Sequence, residues 1–188
     1  RQMCIRDRYC TIDIDNAYAF KHKGILRTTA GTFKDGLTKP SKLKQRWGTY
    51  MRNSKDPYDT YSYIQHFSKN QKLEVLFFFL LGDYAQYDKN IRFDHPKMIS
   101  LIKQLGNTST IGIHPSYASN KNSKMIGIEK QRLEHILGKS VHHNRFHFLK
   151  FSLPKSYQQL LAYGITDDYS MGYPDQIGFR AGTCTPFN

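Results

Sequence analysis

Residues 9–16, YCTIDIDN, carry the pattern that decides the fold. Apolar and polar side chains alternate along them with the period of a β-strand, which puts Ile12 and Ile14 on one face. Asp13 and Asp15 share the opposite face. Two carboxylates at one strand end repel each other when both are ionised. A bound cation would relieve this repulsion, and so would a division of roles in which one carboxylate acts as a base and the other as a metal ligand. The stretch predicts either a site that combines a base with a metal ligand, or two solvated turn acids before a helix.

Strands and helices alternate downstream of this stretch. Residues 73–81, LEVLFFFLL, are apolar on both faces, as in a buried strand of a parallel sheet. Thr110–Ile113 is predicted as a short strand, and residues 165–168 as another with its polar end. The apolar spacing predicts helices over residues 40–53, 96–106, 123–138 and 154–163. This alternation indicates an α/β protein with a parallel sheet.

Several segments between these elements carry weaker signals. Residues 16–38 are rich in Lys, Gly and Thr and are predicted as a loop. The apolar side chains of the helix over residues 40–53 are expected to face inward; they are Leu43, Trp47, Tyr50 and Met51. Asp56 is predicted to cap a helix that has Pro57 at its first position. Residues 178–182 are predicted as a final strand and turn.

Two later segments supply further candidate site residues. His114 follows the strand Thr110–Ile113 and precedes a proline, a place that suits a metal ligand and equally a structural histidine. Residues 140–151 are predicted as a strand that puts His143, Arg145 and His147 on one face. The opposite face, with Phe146 and Phe148, is expected to be buried.

The order of these features resembles one known family. The chain has an acidic strand end, a strand with His-Pro, a strand with Arg-x-His, a helix ended by glycine, and a strand with Asp. This order resembles that of polysaccharide deacetylases, carbohydrate esterase family four, in a divergent bacterial branch. The resemblance spans residues 9–188 and implies a distorted (β/α) barrel, incomplete at its C-terminal end. The family's aspartate pair is adjacent and followed by glycine, whereas here Ile14 separates the carboxylates and Asn16 follows them.

The resemblance implies metal-assisted hydrolysis of an N- or O-acetyl group on a sugar of a polysaccharide or glycoconjugate. Asp13 would act as the general base, Arg145 would orient Asp13, and Asp168 would tune the site histidine that serves as the acid. Asp15 and His114 would bind a divalent metal, zinc by ligand type.

Family members carry a second histidine four residues after the first, and this chain has Ala118 there. We hypothesise that His147 replaces that ligand. Tyr117 and Arg180 are candidate substrate contacts, Arg180 for an anionic group. The family's late histidine, its general acid, would lie beyond Asn188.

Two other functional classes stay open. A non-catalytic carbohydrate-binding relative is favoured by Ala118 and predicts sugar binding without metal. A nucleic-acid-binding protein is favoured only by the net charge of +13, and it ranks last because no nucleic-acid motif accompanies the charge. We therefore expect no nucleic-acid partner.

Composition bounds the remaining possibilities. A length of 188 residues and a hydrophobic content of 39% suit one domain with a sizeable core. The longest apolar run, residues 75–81, has the length of a strand, so no membrane span is expected. Three cysteines without paired spacing favour a reducing, cytoplasmic compartment. Residues 1–8, RQMCIRDR, are predicted to be a non-native leader to a partial domain over residues 9–188. The oligomeric state is left open.

Overall fold

The computed structural model describes residues 9–52, 54–183 and 185–187. The predicted leader therefore lies outside the described residues. Within them, five parallel strands pair in the order of the chain and curl into a half-barrel. The strands are β1 (Tyr9–Ile14), β2 (Glu74–Phe79), β3 (Thr110–Ile113), β4 (His143–Asn144) and β5 (Asp167–Asp168). The α/β class with a parallel sheet is confirmed.

Helices connect the strands. Six are described: α1 (Ile25–Thr38), α2 (Pro40–Met51), α3 (Tyr61–Gln71), α4 (Pro96–Gly106), α5 (Lys124–Leu137) and α6 (Lys155–Ala162). Among the described residues, no helix is both long enough and apolar enough to cross a membrane.

The centre of the sheet holds the core. Side chains from Phe77 to Leu81 are at most 1% exposed, which confirms the predicted strand with two buried faces. In the register of the sheet, Asp13 of β1 lies beside Phe78 and Ile14 lies beside Phe79. Met98, Ile102 and other residues of α4 pack against this layer. The alternation in β1 therefore directs Ile14 into the core and leaves Asp13 and Asp15 at the surface.

The prediction of a loop over residues 16–38 is wrong for its second half, which forms α1. The Lys, Gly and Thr residues suggested a loop, but Leu26, Phe33 and Leu37 recur at helical spacing. The helix is held in place by its neighbour, since Arg46 of α2 forms an ion pair with Asp35 of α1 at 2.6 Å.

The helix predicted over residues 40–53 is present as α2, but its apolar side chains do not face inward. Trp47 and Met51 are largely exposed, and the buried side chains of α2 are Arg46 and Thr49. The expectation failed because α2 packs on the polar side of α1 rather than on the sheet core.

Asp56 does not begin a helix, since α3 starts at Tyr61. Its carboxylate instead accepts hydrogen bonds from the backbone N–H groups of Ala19, Phe20 and Lys21. These bonds outweigh the burial that favours protonation, and they hold the pKa of Asp56 below its usual value. Asp56 thus fixes the segment that follows β1.

The strand predicted over residues 140–151 is limited to two residues in β4. The chain then enters a short 3₁₀ turn, His147–Leu149, with Phe148 in the left-handed region at φ 57°. This turn breaks the alternation, so Phe148 is exposed while His147 and Phe146 are both buried. The strand predicted over residues 178–182 is also wrong, because only an isolated antiparallel bridge joins Phe179 to Gly172.

Candidate metal centre

The carboxyl ends of the parallel strands gather the candidate site at one edge of the sheet, as such sheets do. Asp13 is the penultimate residue of β1, and Asp15 is the first residue beyond the strand. Asn90 holds the chain here: its amide oxygen accepts from the N–H of Ala17, and its amide nitrogen donates to the carbonyls of Ile14 and Leu80. The strand end that carries Asp15 is therefore firmly tied to the end of β2.

His114 is the first residue beyond β3 and is buried. Its Nδ1 lies 2.6 Å from the carbonyl oxygen of Arg145. A carbonyl can only accept, so Nδ1 carries a proton, and the lone pair that a neutral imidazole offers to a metal is then on Nε2. That Nε2 lies 3.0 Å from Oδ1 of Asp15. A histidine arranged in this way has the tautomer and orientation of a metal ligand.

His147 comes from the 3₁₀ turn after β4 and is also buried. Its Nδ1 lies 3.0 Å from Nε2 of His114 and 3.3 Å from Oδ1 of Asp15. Its other ring nitrogen, Nε2, is buried without a hydrogen-bond partner in the described part of the chain. The left-handed backbone of Phe148, a conformation that costs a non-glycine residue free energy, accompanies this placement.

The three ligand atoms form a compact triangle that fits a metal ion. Asp15, His114 and His147 each offer one atom, and all three atoms lie within 4.8 Å of one another. In a tetrahedral zinc site with bonds of about 2.0–2.2 Å, ligand atoms lie about 3.3–3.6 Å apart. The measured separations of 3.0 to 3.3 Å come within a few tenths of an ångström of these values. One carboxylate with two imidazoles is also a donor set that suits zinc.

The charge of Asp15 suits this role. Partial burial favours its protonated form, but the hydrogen bonds and charges of His114 and His147 outweigh that effect and hold the pKa of Asp15 well below its usual range. Asp15 is therefore ionised at neutral pH.

Asp13 lies beside this triangle and faces a different partner. Its Oδ2 lies 3.4 Å from Nε of Arg145, whose guanidinium also donates to the hydroxyl of Thr11. Arg145 therefore reaches from the end of β4 to the outer face of β1. The side chain of Asp13 remains partly exposed at the mouth of the site.

A cavity of about 250 Å³ opens over these groups. Asp13, Asp15, His114, Arg145 and His147 all line it. Its other walls come from the turn after β4 and from a later loop, with Phe146, Phe148, Leu149, Tyr173 and Pro174. The structure thus brings together five of the predicted site residues around one space.

Asp168 does not line this cavity. Its Oδ1 accepts from Nδ2 of Asn144 at 2.6 Å and from Oγ of Ser170 at 2.7 Å. Ser170 Oγ in turn accepts from the backbone N–H of Phe146 at 2.8 Å. Burial, only partly offset by these hydrogen bonds, raises the pKa of Asp168. Asp168 reaches the site through the backbone between Arg145 and His147 rather than through a histidine side chain.

Tyr117 and Arg180, the predicted substrate contacts, also lie outside the cavity lining. The ring of Tyr117 packs at 4.4 Å from that of Tyr87, and its hydroxyl accepts from Lys150. Arg180 donates to the carbonyl of Leu149, and its guanidinium lies over the ring of Phe151 at 4.6 Å. Both residues support the turn that carries His147.

Several residues that shape the site gave no usable signal in the sequence. Asn90, Ser170 and Tyr173 lie in irregular segments, where a lone polar or aromatic residue does not indicate its partner. The left-handed conformation of Phe148 gave no signal either, because the alternation over residues 140–151 does not show where the strand ends. Glu129, buried in α5, holds the backbone N–H of Ser116 two residues after His114.

Comparison with known proteins supports the fold. No protein-family model matches the chain, and no curated protein matches it. The crystal structure of a candidate polysaccharide deacetylase from Mycobacterium smegmatis is similar, with a TM-score of 0.53 and 12% sequence identity. The match covers 87% of this chain and 50% of that one, so the chain spans about half the length of this neighbour. The structure of IcaB from Ammonifex degensii matches with a TM-score of 0.47 and 12% identity over 90% of this chain and 88% of that one.

The fold is therefore that of the polysaccharide deacetylases. The five-stranded half-barrel corresponds to part of the distorted (β/α) barrel that the sequence predicted. The resemblance seen in the order of the motifs is confirmed at the level of the fold.

Proposed function

We propose that the protein is a metal-dependent hydrolase that removes an acetyl group from a sugar of a polysaccharide or glycoconjugate. The observation that carries this proposal is the triangle of Asp15, His114 and His147 beside the pair Asp13–Arg145, at the mouth of one cavity. A base next to a three-ligand metal site is the arrangement that hydrolysis of an acetyl group needs.

Asp15, His114 and His147 would hold a divalent ion, zinc by their donor set. When bound, such an ion polarises an acetyl carbonyl and lowers the pKa of water. His147 would replace the ligand whose usual place in the chain is occupied here by Ala118, an exposed residue of a 3₁₀ turn.

Asp13 would accept the proton of the attacking water, since its carboxylate faces the cavity and is free of the metal triangle. Arg145 would orient this carboxylate, because Nε of its guanidinium lies 3.4 Å from Oδ2 of Asp13. Asp168 would position the segment that contains both Arg145 and His147, through Ser170 and Phe146. Tyr117 and Arg180 stay candidate substrate contacts at the outer edge of the turn.

A carbohydrate-binding protein without catalysis is the second candidate. Ala118 favours this candidate, because it stands where the family that the chain resembles has a metal ligand. The cavity that could hold a sugar is present all the same. Aromatic walls such as Phe148 and Tyr173 suit a sugar ring whether or not a metal is bound.

Zinc content and affinity test the proposal. The wild-type chain is compared with Asp15→Ala, His114→Ala and His147→Ala, and with His143→Ala as a matched control outside the triangle. Circular dichroism of each variant confirms that it folds. We expect stoichiometric zinc in the wild type and in the control, and its loss in the three other variants. Retention in His147→Ala alone would remove His147 from the site, and no zinc in the wild type would leave the carbohydrate-binding protein as the better interpretation.

A further inference from the structure

Helix α1 turns its apolar side chains to the solvent. Leu26, Phe33 and Leu37 recur at helical spacing and are 85%, 73% and 73% exposed. The opposite side of the helix packs on α2, where Gly31 leaves room for the guanidinium of Arg46 and Asp35 pairs with it. An amphipathic helix normally buries its apolar stripe, and no part of the described chain covers this one.

Helix α2 likewise exposes apolar side chains and buries polar ones. Trp47 and Met51 lie one turn apart and are 62% and 67% exposed, while Arg46 and Thr49 are buried. Leu43, one turn earlier, packs on α1 beside Gly36. The stripes of the two helices therefore adjoin at this contact. We call the two helices together, residues 25–51, the α1–α2 hairpin.

The charge around the hairpin is strongly positive. Residues 21–52 contain nine Lys and Arg side chains against one acid, Asp35, so they carry +8 of the chain's net charge of +13. Asp35 is already paired with Arg46. Four lysines of the hairpin are exposed: Lys34, Lys39, Lys42 and Lys44.

We propose that the α1–α2 hairpin binds the surface of an anionic lipid bilayer. Exposed Leu, Phe, Trp and Met side chains next to lysines are the composition of helices that lie in a membrane interface, with the apolar stripe among the acyl chains. Lysines at that depth gain from the negative surface potential. This inference does not depend on the proposed hydrolase activity.

Other partners fit these features less well. Two copies of the hairpin would bring two strongly positive surfaces together, which charge repulsion opposes. A nucleic acid would satisfy the lysines, but phosphate contacts give no role to exposed aliphatic side chains such as Leu26 and Leu37. A lipid surface satisfies both features at once.

The chain contains a single tryptophan, Trp47, and it lies in the hairpin. Its fluorescence therefore reports on this surface alone. Vesicles of phosphatidylcholine, with and without phosphatidylglycerol, are titrated into the full chain at low and high salt. We expect a blue shift of the emission and protection from a soluble quencher with the anionic vesicles only, and both effects should weaken as salt rises.

Two pairs of variants separate the apolar and charged contributions, and sedimentation with vesicles measures binding. Phe33→Gln should weaken binding by about tenfold, since one partly inserted aromatic ring is lost. Lys39→Gln together with Lys42→Gln should weaken it by about fivefold for each lysine removed. The matched controls on the exposed side of α6, Leu161→Gln and Lys155→Gln, should bind as the wild type does.

Three outcomes would overturn the proposal. One is the absence of any spectral change with anionic vesicles. A second is concentration-dependent self-association without lipid that Phe33→Gln abolishes, which would make a second copy the partner. The third is binding to a single-stranded oligonucleotide, but not to vesicles, with no effect of Phe33→Gln.

Discussion

The ring of His114 donates a hydrogen bond from Nδ1 to the backbone carbonyl of Arg145 at 2.6 Å. This bond joins the ends of two neighbouring strands, β3 and β4. It also sets the tautomer of His114 and aims Nε2 at Asp15. Because Arg145 and His147 are two residues apart, the same short segment provides the acceptor for one imidazole and contributes the other.

Asp13→Asn should abolish hydrolysis and leave zinc binding intact. Asp13 faces Arg145 rather than the metal triangle. The substitution therefore removes the proposed base and leaves all three metal ligands in place. We expect the rate of acetate release from an N-acetylated sugar oligomer to fall by about 10²–10⁴-fold. Asp83→Asn, at an exposed position in the loop after β2, is the control. An unchanged rate in Asp13→Asn would exclude Asp13 as the base.

Asp168→Asn should weaken zinc binding without touching a ligand. The carboxylate accepts from Asn144, from Ser170 Oγ and from the Ser170 N–H, and an amide in its place cannot accept all three. We expect a loss of about 1–3 kcal/mol in the free energy of unfolding. Zinc affinity should fall by about tenfold, because the segment with Arg145 and His147 loses its support.

The adjacent exposed carboxylate supplies the control for that variant. Asp167→Asn should leave both the stability and the zinc affinity near wild type. A destabilised Asp168→Asn with wild-type zinc affinity would limit Asp168 to a role in folding.

Asn90→Leu should destabilise the chain strongly. The buried amide of Asn90 accepts from the N–H groups of Ala17 and Ile91 and donates to the carbonyls of Ile14 and Leu80. Leucine leaves these four backbone groups without their partner, and we expect a loss of about 2–5 kcal/mol in urea unfolding. Asn70→Leu, at an exposed position in α3, should change stability by less than about 0.5 kcal/mol. Equal effects of the two variants would contradict a structural role for Asn90.

The stability of the chain should fall as pH rises from about 4.5 to about 7 because of Glu129. Burial raises the pKa of its carboxyl to about 7, compared with 4.5 for an unperturbed glutamate. Between these two values the folded chain keeps a proton that the unfolded chain has released, so the contribution of Glu129 to stability is lost as pH rises. The full loss amounts to about 3 kcal/mol.

Glu129→Gln removes this titration. Urea unfolding at about pH 5 and about pH 8 should show a smaller decrease in stability for the variant than for the wild type. Glu134→Gln is the control, because hydrogen bonds and the charge of Lys130 outweigh burial and lower the pKa of Glu134, so it does not titrate in this range. The same decrease in the wild type and Glu129→Gln would show that other groups cause it.

Elements with a strong period were predicted well from the sequence. The helix over residues 96–106 and the strand Thr110–Ile113 have the predicted bounds, because their apolar spacing matches one secondary structure and their ends carry Pro or a polar residue. The prediction failed where it was based on amino-acid composition instead of on the spacing of apolar residues. Residues 25–38 looked like a loop because of their Lys, Gly and Thr content, and the apolar face of α2 was assumed to be inward.

The sequence alone determined the alternation that exposes Asp13 and Asp15 at a strand end, the buried β2, and the order of motifs that resembles the deacetylases. Only the tertiary structure decided which side chains meet. His147 reaches His114 because the chain leaves the sheet after β4 and turns through a left-handed residue, which a strand period does not encode. The contact of Asp168 with Ser170 and the outward-facing apolar stripes of α1 and α2 were also decided by the tertiary structure. Contacts between residues far apart in the chain depend on how whole elements pack, whereas periodicity records only the preferences of neighbours.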